Sequence, residues 1–233
     1  MVRPAVRHEQ KFLISYGEYA HLSRTLDYVL RRDPAGDAYN EYAVRSLYFD
    51  TVFDDFLFEK VSGVNERRKY RIRIYNFRDR PIKLERKAKF GDLIEKAGME
   101  IPRDLADQLA ACDPTNLDKT GSPLLHDMFR EMKTRLLRPT VIVDYVREAY
   151  THPAEEVRIT FDKKLRTGLF NTTGLFDPAL PTLPALDDNL VILEVKYNRV
   201  LPDHIRTLLS AASALRSAAS KYVICRRFEG KEY

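Results

Sequence analysis

Cysteine is scarce in this sequence, which has only Cys112 and Cys225 among its 233 residues. The two form no CxxC motif, so they exclude a zinc ribbon, a cysteine-ligated cluster and a disulfide framework. Two isolated thiols are typical of buried side chains in a reducing compartment. A single domain of this length buries enough surface to fold without a disulfide or a structural metal. We therefore predict one domain over residues 1–233.

Long apolar segments are missing as well. No stretch approaches the ~18 consecutive apolar residues that a membrane span requires. The opening residues, MVRPAVRHEQKFLIS, contain no apolar run of signal-peptide length. We therefore expect a cytoplasmic protein without a membrane span of its own. The sequence leaves open whether the protein binds a partner that is itself a membrane protein.

Common catalytic and cofactor motifs are also absent. The sequence lacks GxGxxG and lacks GxxxxGK followed by Ser or Thr, which excludes the usual dinucleotide site and phosphate-binding loop. It lacks GxSxG, HExxH and a kinase-type DFG set. Its five histidines are scattered without metal-ligand spacing. No RNP-like or helix-turn-helix pattern occurs, so we expect no nucleic-acid partner.

What the sequence does have is charge of both signs. Charged residues make up 31% and apolar residues 44%, which is typical of a globular protein. The 39 basic and 34 acidic residues leave a formal net charge of +5. This excess permits a polyanionic partner without requiring one.

Period-two alternation dominates the chain and predicts many strands. The predicted strands are residues 7–14, 42–51, 67–76, 81–89, 93–101, 140–150, 156–165, 190–197 and 221–226. Helices are predicted between groups of strands, among them one over 16–32 and one from Pro202 through Ser217. Because strands and helices do not alternate one by one, we predict an α+β fold: an antiparallel sheet or barrel with helices packed outside.

Charged residues alternate within several of these strands. Arg71 and Arg73 share a face, and Glu194 and Lys196 share a face inside the apolar segment LVILEVKY. One interpretation is the solvated face of an antiparallel sheet. The other is the inner face of a closed barrel, where charges are costly unless paired or occupied by a ligand. Since Arg and Lys bind phosphate oxygens and carboxylates bind Mg²⁺ or Mn²⁺, this second interpretation predicts a polyphosphate or nucleoside triphosphate site.

A set of short segments, in order along the chain, resembles the VTC domain, a polyphosphate polymerase family of the triphosphate tunnel metalloenzyme superfamily. The segments are RHEQKFLI, SLYFDT, GVNERRKYRIRIYN, KLERKAKFGDLIEK, VDYVREAY, EEVRITFDKKL, LEVKY and SKYVIC. The resemblance implies an eight-stranded antiparallel barrel with helices packed outside, whose bore binds triphosphate or polyphosphate.

The resemblance also implies roles for individual residues. The catalytic basic residues would be Arg71, Arg73, Lys87, Arg147, Arg158, Lys196 and Lys221. Further phosphate-binding residues would be Lys11, Lys83, Lys89 and Lys96. Glu194 would hold the metal, Mn²⁺ or Mg²⁺, with Glu9 and Glu85 as helpers. By alternation alone, Arg147 is also compatible with a place on the exterior of the barrel.

One position departs from the superfamily pattern. The E-x-E-x-K signature corresponds here to Arg7-His8-Glu9-Gln10-Lys11, so an arginine replaces the first glutamate. One carboxylate fewer favours a long polyanion over two-metal hydrolysis. We therefore predict metal-dependent transfer of the ATP γ-phosphate to a growing polyphosphate chain. Hydrolysis of triphosphate or of a nucleotide on the same barrel, and a binding module without catalysis, are the alternatives.

Overall fold

The structure, a computed structural model, describes residues 8–91, 93–210, 215–216 and 219–227. The long strands are β1 (His8–Ser15), β3 (Glu41–Asp50), β4 (Glu66–Tyr75), β5 (Lys83–Phe90), β6 (Leu93–Glu100), β7 (Arg138–His152), β8 (Val157–Thr167) and β10 (Leu190–Tyr197). The two-residue strands are β2 (Arg31–Arg32), β9 (Leu183–Pro184) and β11 (Leu215–Arg216). The α-helices are α1 (Tyr16–Val29), α2 (Asp55–Val61), α3 (Arg103–Ala110), α4 (Pro123–Thr134), α5 (Asp203–Ser210) and α6 (Lys221–Arg226).

The strands pair antiparallel, as in β1 with β10 and β4 with β5. The predicted α+β class, with eight long antiparallel strands and helices packed on them, is therefore confirmed. The weak pattern at 93–101 is a strand, β6. Among the helices of the described residues, none combines the length and the apolar character needed to cross a membrane.

The chain divides into two compact units. The first unit comprises Met1–Ala43, Tyr145–Leu165 and Leu186–Ser220, and the second comprises Val44–Asp144, Arg166–Ala185 and Lys221–Tyr233. In the first unit the strand order is β11-β1-β10-β8-β7, with β2 on β7. In the second it is β7-β3-β4-β5-β6, with β9 on the last residues of β8. A single domain over residues 1–233 stays a prediction.

In the first unit, α1 covers the apolar face of the strands. The helix begins at a capping box of the pattern S-x-x-E, in which the Ser15 hydroxyl accepts from the backbone N–H of Glu18 and the Glu18 carboxylate accepts from that of Ser15. Leu22 and Leu26 are buried in one cluster with Phe161 of β8. Since side chains alternate along a strand, the neighbours of Phe161 in β8 lie on the other face.

In the second unit, too, apolar residues lie on one face of the strands and charged residues lie on the other. Tyr70 and Ile72 of β4 are fully buried in a cluster with Phe56 of α2 and Met128 of α4. The intervening β4 residues are charged and lie on the opposite face. In both units the apolar core therefore lies under the helices, and the charged residues face away from it.

Two predictions for the C-terminal part were wrong. The last long helix is described over Asp203–Ser210, and Leu215 lies in β11 instead of on its apolar face. Residues 211–214 and 217–218 lie outside the described residues. The segment KYVICR, predicted as a closing strand, is helix α6.

The physical reason for the error at α6 lies in contacts with distant residues. A short apolar run such as YVIC does not distinguish a strand from a buried helix. In the helix, Tyr222 and Arg226 are four residues apart and share a face, where the Arg226 guanidinium donates to the Tyr222 hydroxyl at 2.9 Å. Both side chains reach acidic residues that precede α2: Tyr222 donates to Asp50, and Arg226 donates to Asp54 at 2.7 Å.

Candidate functional site

The charged face of β4 and β5 in the second unit carries several of the predicted residues. Residues directly opposite each other in an antiparallel pair share a face. The register places Arg71 opposite Glu85 and Arg73 opposite Lys83. The predicted alternation, with Arg71 and Arg73 facing away from the apolar core, is confirmed.

Glu85 holds both arginines in place. Arg71 Nε donates to Glu85 Oε2 at 2.6 Å, and Arg73 Nη1 lies 3.7 Å from the same oxygen. Burial opposes ionisation of Glu85, but the nearby Arg71 and Arg73 outweigh it and lower the pKa of the carboxyl. Arg73 is only 9% exposed, whereas Lys83 and Lys96 on the same face are exposed. The face is therefore buried at Arg73 and solvated toward these lysines.

Three lysines form one row across β4, β5 and β6. Lys69 lies directly opposite Lys87, and Lys87 directly opposite Lys96. Like charges directly opposite each other destabilise a sheet. Lys69 was missed by the sequence reasoning, although it shares the strand face of Arg71 and Arg73. Of the other predicted lysines, Lys83 and Lys89 lie on the same face of β5 as Lys87.

Tyr48 of β3 adds a phenol to the arginine side of this face. It lies directly opposite Arg71, whose Nη1 donates to the Tyr48 hydroxyl at 2.9 Å. Burial opposes ionisation of this phenol, but Arg71, Arg73 and Lys221 outweigh it and lower its pKa. Lys221 therefore acts on this site from helix α6 and not from the predicted strand. Sequence reasoning gave Tyr48 no role, because no charge marks it.

Glu194 is the centre of the charged face in the first unit. It is 5% exposed and is surrounded by three cations. Its carboxylate lies 2.8 Å from Lys196 Nζ, 3.9 Å from Arg147 Nη2 and 4.0 Å from Lys11 Nζ. Lys11 also contacts Glu9 at 3.3 Å. The structure therefore brings together the predicted residues Glu9, Lys11, Arg147, Glu194 and Lys196.

Burial of Lys196 beside Glu194 changes the pKa of its ammonium group. Burial lowers the pKa of its ammonium group below the ordinary value, although Glu194 acts in the opposite direction. A bound anion near Lys196 would favour the charged form, because an opposite charge stabilises it.

Arg147 is fixed by a buried ion pair. Its Nε and Nη2 donate to the two carboxylate oxygens of Asp162 at 2.7 Å and 2.8 Å. The side chains of Arg147 and Asp162 are 10% and 0% exposed, which rules out the exterior, snorkelling position for Arg147. Arg158 instead donates to Asp33 at 2.5 Å and to the Tyr42 hydroxyl at 3.1 Å.

Comparison with known families identifies the chain. The VTC domain matches residues 6–228. The chain belongs to the VTC domain family. The resemblance found in the sequence segments is thereby confirmed.

Solved structures share the fold of this VTC domain at low identity. One is a candidate adenylyl cyclase from Hippeastrum with a dominant triphosphatase activity, at 17% identity and a TM-score of 0.56 over 97% of this chain and 96% of that chain. Another is a candidate adenylate cyclase from Bacillus halodurans, at 14% identity and a TM-score of 0.51 over 93% and 94%. At these identities the likeness establishes the fold. Comparison with curated proteins finds no match.

The oxygen donors around Glu194 fit a divalent ion in this VTC domain. Thr160 of β8 lies directly opposite Glu194, and its buried hydroxyl has no hydrogen-bond partner among the residues that the structure describes. Among the described residues, no group of three or more acidic, His or Cys side chains is placed to hold a metal. Mg²⁺ is commonly held by one or two carboxylates together with substrate phosphates. Glu194 and Glu9 with the Thr160 hydroxyl match that kind of site.

The structure also locates Glu85, the third predicted metal ligand. Glu85 lies in the second unit, where it pairs with Arg71 and Arg73, whereas Glu9 and Glu194 lie in the first. Arg7, which replaces a glutamate of the superfamily signature, lies outside the described residues. The role of each as a metal ligand stays a prediction.

Proposed function

We propose that this VTC domain transfers the γ-phosphate of ATP to a growing polyphosphate chain with the help of Mn²⁺ or Mg²⁺. The observation that carries the proposal is the lysine row Lys69, Lys87 and Lys96 beside Arg71 and Arg73. Such a row concentrates positive charge on one face, and a bound polyanion is attracted to it.

Arg71 and Arg73 are the groups proposed to hold phosphate oxygens. Guanidinium groups bind phosphate bidentately. Here Arg71 donates to the Glu85 carboxylate at 2.6 Å, and Arg73 forms an ion pair with the same oxygen at 3.7 Å. A phosphate in the place of Glu85 keeps Arg71 hydrogen-bonded and Arg73 paired with a negative charge. Lys83, Lys87, Lys89 and Lys96 extend the positive face along β5 and β6, as a long polyanion requires.

Glu194 and Glu9 are the proposed metal ligands, with Arg147, Lys196 and Lys11 around them. A bound divalent ion neutralises charge on phosphoryl oxygens. Arg147 is held in one orientation by Asp162, so it contributes a fixed positive charge close to Glu194. The acceptor in chain growth is a phosphate that is already ionised at neutral pH, so the residues need to position and neutralise charge and not to remove a proton.

Hydrolysis of triphosphate is the second candidate function. It is favoured by the fold shared with the Hippeastrum protein, whose dominant activity is that of a triphosphatase. Glu9 or Glu85 would then position the attacking water. The Glu85 side chain is 31% exposed, against 6% for Glu194, so Glu85 is the more accessible carboxylate. A binding module without turnover is the remaining alternative.

The test is incubation of the protein with ATP and Mn²⁺, followed by separation of the products on a gel. Long phosphate chains support transfer, orthophosphate alone supports hydrolysis, and binding without products supports a binding module. Arg71→Ala should reduce product formation in either catalytic case. Arg130→Ala is the control, because Arg130 is an exposed residue of α4 paired with Asp127.

A further inference from the structure

We propose that Tyr48 is a phosphate ligand of the second unit, whose hydroxyl donates its proton to a phosphate oxygen that Arg71 also holds. This inference rests on the proposed function and deepens it. It assigns a neutral donor to a site where sequence reasoning placed only charged side chains.

The position of Tyr48 is fixed from two sides. Its register places it directly opposite Arg71, on the charged face of β3 and β4. Its ring stacks on the ring of Tyr222, with centroids 5.2 Å apart. Tyr222 is itself anchored, because its hydroxyl donates to the buried carboxylate of Asp50. Tyr48 is 7% exposed and therefore presents its hydroxyl with little freedom to reorient.

The hydrogen bonds of the Tyr48 hydroxyl are incomplete. A phenol both accepts and donates. Its oxygen accepts from Arg71 Nη1 at 2.9 Å, whereas among the described residues no oxygen accepts its proton. Buried polar groups are normally satisfied. The unused O–H donor of Tyr48 lies beside the Arg71 guanidinium, which we propose binds phosphate. A phosphate oxygen bound to Arg71 can therefore also accept a hydrogen bond from Tyr48.

The surrounding charges strengthen this donor. The cations that face the phenol are Arg71 and Arg73 of β4 and Lys221 of α6, and they lower the pKa of Tyr48 in spite of its burial. Glu85 of β5 is an acidic residue on the same face, and it accepts a hydrogen bond from Arg71. Lys69 lies over the ring of Tyr222, with Nζ 5.0 Å from its centroid. A phenol polarised in this way gives a short, strong hydrogen bond to an anionic oxygen.

The alternative role for Tyr48 is purely structural: it would only hold Arg71 by accepting its hydrogen bond. The two roles differ in their pH dependence. If Tyr48 donates to the ligand, ionisation of the phenol removes the donor and places a negative charge against phosphate. Triphosphate affinity then falls at alkaline pH through Tyr48 as well as through the lysines.

The experiment measures the dissociation constant of inorganic triphosphate from pH 7 to pH 10, without metal, for the wild type and Tyr48→Phe. We expect Tyr48→Phe to bind about tenfold more weakly at pH 7, as for loss of a hydrogen bond to a charged group. Its affinity should decline less with pH than that of the wild type. All other titratable groups are the same in the two proteins, so the difference between the two pH profiles reports Tyr48.

Tyr70→Phe is the matched control. Tyr70 lies next to Arg71 on the opposite face of β4, and in the described part of the chain its buried hydroxyl has no hydrogen-bond partner. Its removal should leave triphosphate affinity and its pH profile unchanged. If Tyr48→Phe does not fold, Tyr48→His replaces it. This ring keeps an N–H donor and should bind triphosphate at pH 7 within a few-fold of the wild type.

The outcomes separate the two proposals. Absence of triphosphate binding by the folded wild type overturns both the proposed function and this inference. Wild-type binding with unchanged affinity in Tyr48→Phe overturns this inference alone. Weaker binding by Tyr48→Phe with a profile parallel to the wild type also overturns it, because Tyr48 then only positions Arg71.

Discussion

Arg147 and Asp162 form a two-point ion pair, with N–O distances of 2.7 Å and 2.8 Å, between neighbouring strands β7 and β8. Burial opposes the charged form of Arg147, but Asp162 outweighs it and raises the pKa of the guanidinium. The pair therefore offsets much of the cost of burying each charge.

Asp162→Asn should lower the free energy of unfolding by about 3 kcal/mol, because it leaves the buried guanidinium with only the more distant Glu194, 3.9 Å away, as a countercharge. Urea unfolding followed by circular dichroism measures the change. Asp203→Asn is the control, since Asp203 pairs with Arg206 in an exposed position and its loss should cost little. Equal losses in the two variants would contradict the assigned role of the pair.

Glu194→Gln should separate metal binding from anion binding. The amide keeps the shape of the side chain but removes the charge, so Mn²⁺ affinity should fall at least about tenfold. Metal-free triphosphate binding should persist or tighten, because a negative charge has been removed from among three cations. Isothermal titration measures both. The exposed Glu156→Gln should change neither, and unchanged Mn²⁺ affinity in Glu194→Gln would exclude this residue as the ligand.

Thr160→Val should stabilise the ligand-free protein and weaken its response to metal. The Thr160 hydroxyl is buried without a partner, so replacing it with a methyl group should raise the free energy of unfolding by about 1 kcal/mol. The rise in melting temperature caused by Mn²⁺ should become smaller. Thr160→Ser keeps the hydroxyl and should retain the metal response; equal metal responses in the two variants would show that the hydroxyl plays no part.

Lys87→Ala should weaken anion binding. Lys87 lies directly opposite both Lys69 and Lys96, so its removal takes away the middle positive charge of the row. Triphosphate affinity should fall at low salt, and the loss should shrink at high salt, because salt screens exposed charges. The exposed Lys119→Ala should leave triphosphate affinity unchanged, and a loss in Lys87→Ala that does not depend on salt would argue against a role of its charge.

Glu85→Gln should change the acid sensitivity of the protein. The folded-state pKa of Glu85 is lowered, so its ionised form contributes stability that is fully present above the ordinary value of 4.5. That contribution is lost as the pH falls through the lower folded-state pKa. Glu85→Gln should therefore lose less stability than the wild type over this acidic range, as measured by urea unfolding. At pH 7 it should also bind triphosphate more tightly, because Arg71 and Arg73 are released.

Several elements followed directly from the sequence. The segment RKYRIRIYN alternates so regularly that the faces of Arg71 and Ile72 were predicted correctly, and the Ser15–Glu18 spacing located the start of α1. These features depend on residues that are neighbours in the chain, where the geometry of a strand or a first helical turn leaves few choices.

Other features depended on partners that are distant in sequence. Tyr222 and Asp50 are 172 positions apart, and their contact favours a helix where the apolar run YVIC suggested a strand. Arg45, 2% exposed, lies on β3 between the buried residues Val44 and Ser46, where it is paired with Asp144 and donates to the carbonyl of Gly174 at 2.9 Å. No local pattern distinguishes such a charge from an exposed one.

By itself, the sequence determined the eight long strands, their two faces and the family, because these follow from periodicity and from the order of short segments. Only the tertiary structure decided which charges meet. The register places Lys69, Lys87 and Lys96 in one row, and it places Thr160 opposite Glu194. The docking of α6 places Tyr222 against Tyr48. Register and docking minimise the energy of contacts between distant segments, and a single sequence does not specify those pairings locally.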